Sequence, residues 1–288
     1  MKKTNAGPSH DGLKNTRGRD RAFTLTDLLV VIVTLAILAA LILPALARSG
    51  DNNARTVCSN NLRQLGTALN MYLTDAQDYL PWPNWGCDGA APAGWLYHPD
   101  PNTPNNLGTG NLANDAANWA TGRVANLKTG VYWQYLQNPD VFICPVFAAN
   151  VVGSSLWEQM NVKLTGYVMN GAVCFFPGAD GAQGNLYGYR TARASQVWSP
   201  LCIINWEPDP TLAFSFNDGA CYPNTVEGPG MVLHVTGANV LAVGGSTRFM
   251  TFADFISEIN HPLRNNNTMG KGLLWWNPMR PDGHTASE

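Results

Sequence analysis

Residues 28 to 47 are apolar apart from Thr34, and no Lys, Arg, Asp or Glu occurs among them. As an α-helix, these 20 residues would extend about 30 Å, which is the apolar thickness of a bilayer. Asp27 stands directly in front of the stretch. The pattern predicts a membrane-spanning helix over residues 23–47 with one carboxylate at its start.

An amphipathic pattern continues beyond this helix. Apolar residues recur at spacings of three and four, which places them on one helical face: Cys58, Leu62, Leu65, Leu69 and Tyr72. Polar residues fall outside that stripe: Asn60, Asn61, Arg63 and Gln64. We expect a stalk helix over residues 48–80 whose apolar face packs on a globular head, and we expect Pro44 to bend or loosen the helix before it.

Residues 81–288 form the predicted head. Alternating segments predict strands at residues 172–176, 201–205, 232–235, 238–243 and 247–252. Gly244 and Gly245 separate the last two, which predicts a hairpin with a two-residue turn. The expected fold class is α+β, with a long N-terminal helix laid on an antiparallel sheet.

The segment from residue 82 to 130 is rich in Pro, Gly, Asn and Trp and shows little periodicity, which is typical of loops. Its aromatic residues are Trp82, Trp85, Trp95, Tyr97 and Trp119. We expect them to cover the core of the head. A surface that binds carbohydrate or a protein partner is the alternative.

Charge is distributed unevenly along the chain. Residues 1–22 carry six basic and two acidic residues, or +4, and the remainder carries 12 basic and 18 acidic residues, or −6. A basic end stays in the cytoplasm, so the acidic head should lie outside it. An acidic head also repels phosphate, so no nucleic-acid partner is expected. Ala45-Leu46-Ala47 resembles a signal-peptide cleavage site, and ordinary secretion is the alternative to anchoring.

The order of a basic leader, Phe23-Thr24-Leu25-Thr26-Asp27 and an apolar stretch resembles the signal of type IV pilins and type II secretion pseudopilins. The resemblance implies that a prepilin peptidase cuts between Ala22 and Phe23, removes residues 1–22 and methylates the new amine. This chain has Ala22 where the family usually has Gly, and Asp27 where it usually has Glu.

The same resemblance implies roles for two assembly residues. Asp27 would pair with the Phe23 amine of a neighbouring subunit, because each buried charge needs a partner; the alternative is an Asp27 that reaches into the headgroup region of a simple anchor. Pro44 would stand where the family often has a kinking proline. The implied protein is a non-enzymatic filament subunit of the bacterial inner membrane, found later in a periplasmic pseudopilus or a surface filament.

Its implied partners are copies of itself, related subunits, the peptidase and the inner-membrane assembly machinery. A membrane-anchored carbohydrate-binding protein is the main alternative, and an anchored hydrolase is a weaker one. The sequence contains no G-x-S-x-G, H-E-x-x-H or Walker-type motif.

Further motifs resemble the pilin-like subgroup with an H-X9-DG region. They are the run Cys58-Ser59-Asn60-Asn61-Leu62-Arg63-Gln64, the pair Cys144-Pro145, and Tyr167-Val168-Met169-Asn170. His234 is followed by nine residues and then by Gly244-Gly245 instead of Asp-Gly. The alternative for His234 is a packed or surface histidine on a strand.

The six cysteines are Cys58, Cys87, Cys144, Cys174, Cys202 and Cys221. None forms a C-x-x-C pair, so a thiolate zinc knuckle is not expected. A disulfide between Cys58 and Cys144 would pin the stalk to the head, and buried free thiols are the alternative. No cofactor is expected. Glu207, Asp209 and Asp218 are candidate ligands for calcium, and the alternative for them is an acidic surface loop.

Overall fold

A computed structural model describes residues 24–84, 91–99, 119–160, 162–174, 191–211, 219–221, 223, 234, 236–259, 272–274 and 276, without the side chains of residues 43–51 and 119–122. The chain divides into two compact units, Met1–Ser49 and Gly50–Glu288. Ala22 and Phe23, at the predicted cleavage site, lie outside the described residues.

The first unit contains the start of helix α1, Leu25–Asp75. Thr24 and Asp27 close its first turn, because the Thr24 backbone N–H donates to Asp27 Oδ2 (3.0 Å) and the Asp27 N–H donates to Thr24 Oγ1 (3.2 Å). Leu25–Ile42 is long and apolar enough to cross a membrane, and none of it is buried. The apolar stretch is thus helical as predicted, and its crossing of a membrane stays a prediction. Pro44 lies within the bounds of α1.

In the second unit, the remainder of α1 buries the predicted apolar stripe. Cys58, Leu62, Leu65 and Leu69 are fully buried, and Tyr72 is partly buried against the same core. Gly66 allows this close approach, since a Cβ at that position would lie 2.9 Å from Leu241 Cδ1. The α+β architecture predicted for the head is therefore confirmed.

Asn61 was predicted to lie outside the buried stripe of α1, but its side chain is buried. It is only 7% exposed, and its Nδ2 donates to the backbone oxygens of Asp140 (3.1 Å) and Ile143 (3.0 Å). A polar side chain faces the core here because two backbone carbonyls satisfy its donor group.

The sheet of the second unit has five strands in the order β3-β1-β2-β4-β5. They are β1 (Val168–Asn170), β2 (Ile203–Trp206), β3 (Ala220–Cys221), β4 (Gly237–Ala242) and β5 (Thr247–Thr251). The pairs β1–β2, β2–β4 and β4–β5 are antiparallel, but β1 and β3 pair in parallel. The sheet is therefore mixed and not wholly antiparallel as predicted.

The β4–β5 hairpin is confirmed, with a different turn. Ala242 N donates to Ser246 O (2.8 Å) and Gly245 N donates to Ala242 O (2.9 Å), so residues 243–245 form a three-residue loop and not the predicted two-residue turn. Gly245 has φ +83°, the left-handed conformation that ends a type I turn of this length. β5 ends at Thr251, and Phe252 already belongs to the next helix.

Other predicted strands are shifted. The segment predicted at 172–176 begins inside a 3-10 helix, Gly171–Cys174, and the strand precedes this helix as β1. The strand predicted at residues 201–205 corresponds to β2, which begins two residues later and ends one residue later. Of the segment predicted at 232–235, only His234 is described, and it lies in a bend.

Short helices complete the second unit: α2 (Trp119–Leu127), α3 (Trp133–Leu136), α4 (Pro145–Val151), α5 (Ser155–Gln159) and α6 (Phe252–Ile259). A 3-10 helix, Pro139–Phe142, lies two residues before α4. Trp82, Trp95 and Tyr97 are at most 2% exposed, so these aromatic residues pack inside the head. Trp85 and the side chain of Trp119 lie outside the described part.

Candidate functional site

Four reactive side chains meet inside the second unit. Their ligand atoms all lie within 4.8 Å of one another, and each residue is at most 1% exposed. We call Cys58, Cys144, Glu207 and His234 the buried cluster. They come from four separate segments: α1, the residue before α4, the residue after β2, and the bend that precedes β4.

Short contacts connect the cluster in a chain. The Cys58 thiol donates to Cys144 Sγ at 2.6 Å, and Cys144 Sγ lies 3.8 Å from His234 Nε2. The same Nε2 lies 3.3 Å from Glu207 Oε1. Both thiols, the imidazole and one carboxylate oxygen therefore lie close together, all within 4.8 Å of one another.

The other oxygen of Glu207 is held by Asn239 on β4. Glu207 Oε2 accepts hydrogen bonds from the Asn239 backbone N–H (2.7 Å) and from Asn239 Nδ2 (3.1 Å). The pairing of Trp206 with Val240 brings these two residues together. The carboxylate thus has a fixed orientation, with Oε2 facing β4 and Oε1 facing the other cluster residues.

The position of Cys144 depends on contacts with α1. Asn61, one helical turn after Cys58, donates to the carbonyl of Ile143, the residue immediately before Cys144. Pro145 then starts α4 at its first position, where a proline costs no hydrogen bond. These local features bring the second thiol to the first.

The pKa values of the cluster depend on one another. The hydrogen bond to Cys144, burial and the nearby Glu207 raise the pKa of Cys58 far above that of an ordinary thiol. Burial raises the pKa of Cys144, but hydrogen bonds with Cys58 and His234 outweigh it and lower that pKa. Burial lowers the pKa of His234, yet its contacts with Cys144 and Glu207 raise it to about 10. These contacts therefore favour the protonated form of the His234 imidazole.

The arrangement does not suit nucleophilic catalysis. In a Cys-His-acid triad the imidazole bridges its partners, with the acid on one ring nitrogen and the nucleophile on the other. Here Cys144 and Glu207 both contact Nε2, and the thiols are fully buried. Two thiols, an imidazole and a carboxylate suit either metal coordination or the joining of the two cysteines.

Cys58 and Cys144, predicted as a disulfide pair, are brought together, and both are present as free thiols; the disulfide remains a prediction. The two calcium candidates that the structure describes, Glu207 and Asp209, have different surroundings. Glu207 is fully buried, so its alternative placement on an acidic surface loop is wrong. Asp209 Oδ1 accepts hydrogen bonds from Thr211 N (2.9 Å) and Thr211 Oγ1 (2.7 Å), and Asp218 lies outside the described residues.

The sequence alone does not show that the four residues of the buried cluster meet in the fold. The sequence predicts the pairing of Cys58 with Cys144, but His234 belongs to a separate motif and Glu207 is one of the calcium candidates. The absence of C-x-x-C spacing argued against a thiolate metal site, because that spacing marks ligands that share one loop. Ligands from four distant segments leave no such spacing, so only the tertiary fold reveals the cluster.

The model of a family described as "Protein of unknown function (DUF1559)" matches residues 53–220, which include three of the four cluster residues. The chain is also similar to "Type II secretion system core protein G" of Pseudomonas aeruginosa, with 37% identity over 59 residues, or 20% of this chain and 42% of that protein.

A second relative is "Type II secretion system core protein G" of Pectobacterium carotovorum subsp. carotovorum, with 32% identity over 79 residues, or 27% of this chain and 51% of that protein. The chain thus spans about half the length of the curated relatives it matches. No solved structure matches it significantly.

Proposed function

This chain belongs to the family described as "Protein of unknown function (DUF1559)", and from that premise we propose that it is a structural subunit of a pseudopilus-like filament. Its similarity to two type II secretion core proteins G supports this role. In this proposal the chain is inserted in the inner membrane, processed at its N-terminus and assembled through α1. The function is structural and not enzymatic.

The exposed apolar part of α1 carries the proposal. Its large side chains are about half exposed or more, for example Leu35 at 59% and Leu41 at 70%. An apolar surface of this extent requires lipid or other apolar helices around it. A filament subunit meets both needs in turn, first in the membrane and then among the helices of its neighbours.

The basic leader supports the orientation and the processing step. Its charge of +4 over residues 1–22 would hold the N-terminus in the cytoplasm while the head lies outside. A prepilin peptidase would then cut between Ala22 and Phe23 and methylate the Phe23 amine. The processed subunit joins a periplasmic pseudopilus or a cell-surface filament through the assembly machinery of the inner membrane.

Asp27 has two compatible roles in this proposal. Within one chain its Oδ2 accepts the Thr24 N–H and caps α1. A carboxylate accepts several hydrogen bonds, so Asp27 can also pair with the Phe23 amine of a neighbouring subunit. This pair would fix the axial register between subunits, and Pro44 would adjust the path of the helix.

The alternative function, carbohydrate binding by a membrane-anchored protein, gains no specific support. It required exposed aromatic rings for sugar stacking, but Trp82, Trp95 and Tyr97 belong to the interior of the head. No observation in the described part of the chain favours it over assembly.

The test is the native N-terminus of the protein. We would express the full chain with a C-terminal tag, beside an active or an inactivated prepilin peptidase, and measure the intact mass and the N-terminal peptide. The expected product begins at Phe23 and carries one methyl group only when the peptidase is active. A mature protein that keeps Met1, or that begins after residue 47, would overturn the proposal.

A further inference from the structure

The buried cluster has the composition and geometry of a metal site. We propose that Cys58, Cys144, Glu207 and His234 bind one divalent metal ion of the zinc class inside the head. This inference concerns the second unit alone and does not depend on filament assembly.

The ligand types select the class of ion. Zinc is bound by thiolate, imidazole and carboxylate groups, and its structural sites have four ligands in a tetrahedron. Calcium and magnesium prefer sites made of oxygen atoms, whereas two thiols and an imidazole favour zinc and similar transition metals. The cluster supplies four such ligands.

The distances suit such a site after a small adjustment. A zinc–sulfur bond is about 2.3 Å and a zinc–nitrogen bond about 2.0 Å, so neighbouring ligand atoms in a tetrahedron lie about 3.3 to 3.8 Å apart. Cys144 Sγ and His234 Nε2 are already 3.8 Å apart, and His234 Nε2 and Glu207 Oε1 are 3.3 Å apart. The two sulfur atoms, at 2.6 Å, must separate by about 1 Å to admit the ion.

Charge also favours an ion at this position. When a metal binds, both thiols are deprotonated and the imidazole is neutral, so the four ligand groups then carry three negative charges. Without a counterion these buried groups keep their protons, because burial of such charges is very costly. A divalent cation at the centre neutralises two of them and contacts all four ligand groups.

Glu207 is oriented before any metal binds. Asn239 holds its Oε2 through two hydrogen bonds, which leaves Oε1 directed towards His234 and the thiols. Outer hydrogen bonds of this kind fix the direction of a metal ligand and raise affinity. A disulfide between Cys58 and Cys144 would use neither the imidazole nor this held carboxylate.

The ion would join parts of the second unit that are distant in sequence. Its ligands come from the amphipathic part of α1, the residue before α4, the residue after β2 and the bend before β4. Because the unfolded chain has no preformed site, metal binding stabilises the folded head. We expect the metal to fasten α1 to the sheet.

Cobalt titration tests the proposal on the full chain in detergent. The protein is purified with a reductant, treated with a chelator, and titrated with cobalt(II) and then with zinc(II). We expect one cobalt per chain, a thiolate-to-cobalt charge-transfer band, the visible bands of tetrahedral cobalt, and displacement by one equivalent of zinc. Cys58→Ser and Cys144→Ser should each weaken cobalt binding at least tenfold.

Cys202→Ser is the matched control, because Cys202 is a fully buried free thiol outside the cluster. It should bind cobalt like the wild type. Should the cysteine variants fail to fold, zinc should still raise the melting temperature of the reduced wild type, and magnesium should not.

Three results would overturn the inference. One is a reduced, folded wild type that takes up no stoichiometric cobalt. Another is a cobalt spectrum without the thiolate band, or one that Cys58→Ser leaves unchanged. The third is a Cys58–Cys144 disulfide in protein isolated without reductant. A failure here leaves the N-terminal processing result unaffected, so the two proposals are tested separately.

Discussion

Glu207 and Asn239 are joined by two hydrogen bonds to a single carboxylate oxygen, from the backbone N–H at 2.7 Å and from Nδ2 at 3.1 Å. Both residues are nearly inaccessible to solvent, so little water competes for these bonds. The pairing of β2 with β4 therefore orients the Glu207 side chain as well as joining the two strands.

Asn239→Ala should weaken metal binding without removing a ligand. The backbone donor remains, so we expect a loss of about tenfold in cobalt affinity, at the lower end of the range for outer hydrogen bonds. The measurement is a cobalt titration of the reduced full chain. Asn170→Ala is the control, because Asn170 is an equally buried amide that bonds instead to Ile203 O and Leu274 O. Equal affinity in Asn239→Ala and the wild type would show that the Asn239 side chain does not position Glu207.

Asn61 should contribute to stability more than its neighbour Asn60. Asn61→Ala leaves the carbonyls of Asp140 and Ile143 without the donor they now have. A lost buried hydrogen bond of this kind costs about 1–3 kcal/mol. We expect the free energy of unfolding, measured with urea on the full chain in detergent, to fall by that amount.

Asn60→Ala provides the comparison, because Asn60 is exposed on the same helix. Its effect should stay within about 0.5 kcal/mol, as is usual for surface substitutions. Similar losses in both variants would mean that the contacts of Asn61 with the Cys144 segment carry no special weight.

Local patterns in the sequence were sufficient for much of the fold. The stripe from Cys58 to Tyr72 predicted which face of α1 is buried, because a helix repeats its faces every three or four residues. The β4–β5 hairpin was also visible, since two alternating segments flank Gly244 and Gly245. The turn itself depends on hydrogen bonds of Ala242 and Ser246, which no residue pattern specifies.

The parallel pair and the buried cluster could not be predicted in this way. β3 is only two residues long, too short to show a period, and its partner β1 precedes it by about fifty residues. Glu207 lies in the acidic sequence Glu207-Pro208-Asp209, which is typical of an exposed loop. Its burial follows from strand pairing with β4, a contact between distant parts of the chain.

A substitution at Thr24 distinguishes the two roles proposed for Asp27, helix capping and pairing with a neighbouring subunit. Thr24→Ala removes the hydroxyl that accepts the Asp27 N–H, a capping loss of about 1 kcal/mol, but it keeps the carboxylate. We expect Thr24→Ala and Asp27→Glu to assemble filaments near the wild-type level. Asp27→Ala should insert in the membrane but fail to assemble, because the amine of the neighbouring subunit then has no partner.

The measurement is the amount of tagged subunit in the sheared filament fraction, compared with the amount in the membrane. A defect in Thr24→Ala as large as that of Asp27→Ala would assign the role of Asp27 to helix capping. Normal filaments from Asp27→Ala would remove the pairing from the proposal.

The start of α6 should show a specific pH dependence. Asp254 Oδ2 accepts hydrogen bonds from the Thr251 hydroxyl (2.7 Å) and backbone N–H (3.2 Å), and these bonds lower the pKa of Asp254 below its ordinary value. A lowered pKa means that the carboxylate favours the folded state above the unfolded pKa of about 3.9. That contribution is lost as the pH falls from this value through the folded pKa.

The free energy of unfolding of the wild type should therefore exceed that of Asp254→Ala by a constant amount between about pH 5 and 8, and the difference should shrink below about pH 4. Urea unfolding of the full chain in detergent at several pH values measures it. In a Thr251→Ala background the shrinkage should be smaller, because the hydroxyl that contributes most to the shift is gone. A difference that is unchanged at low pH would show that Asp254 stabilises α6 without its charge.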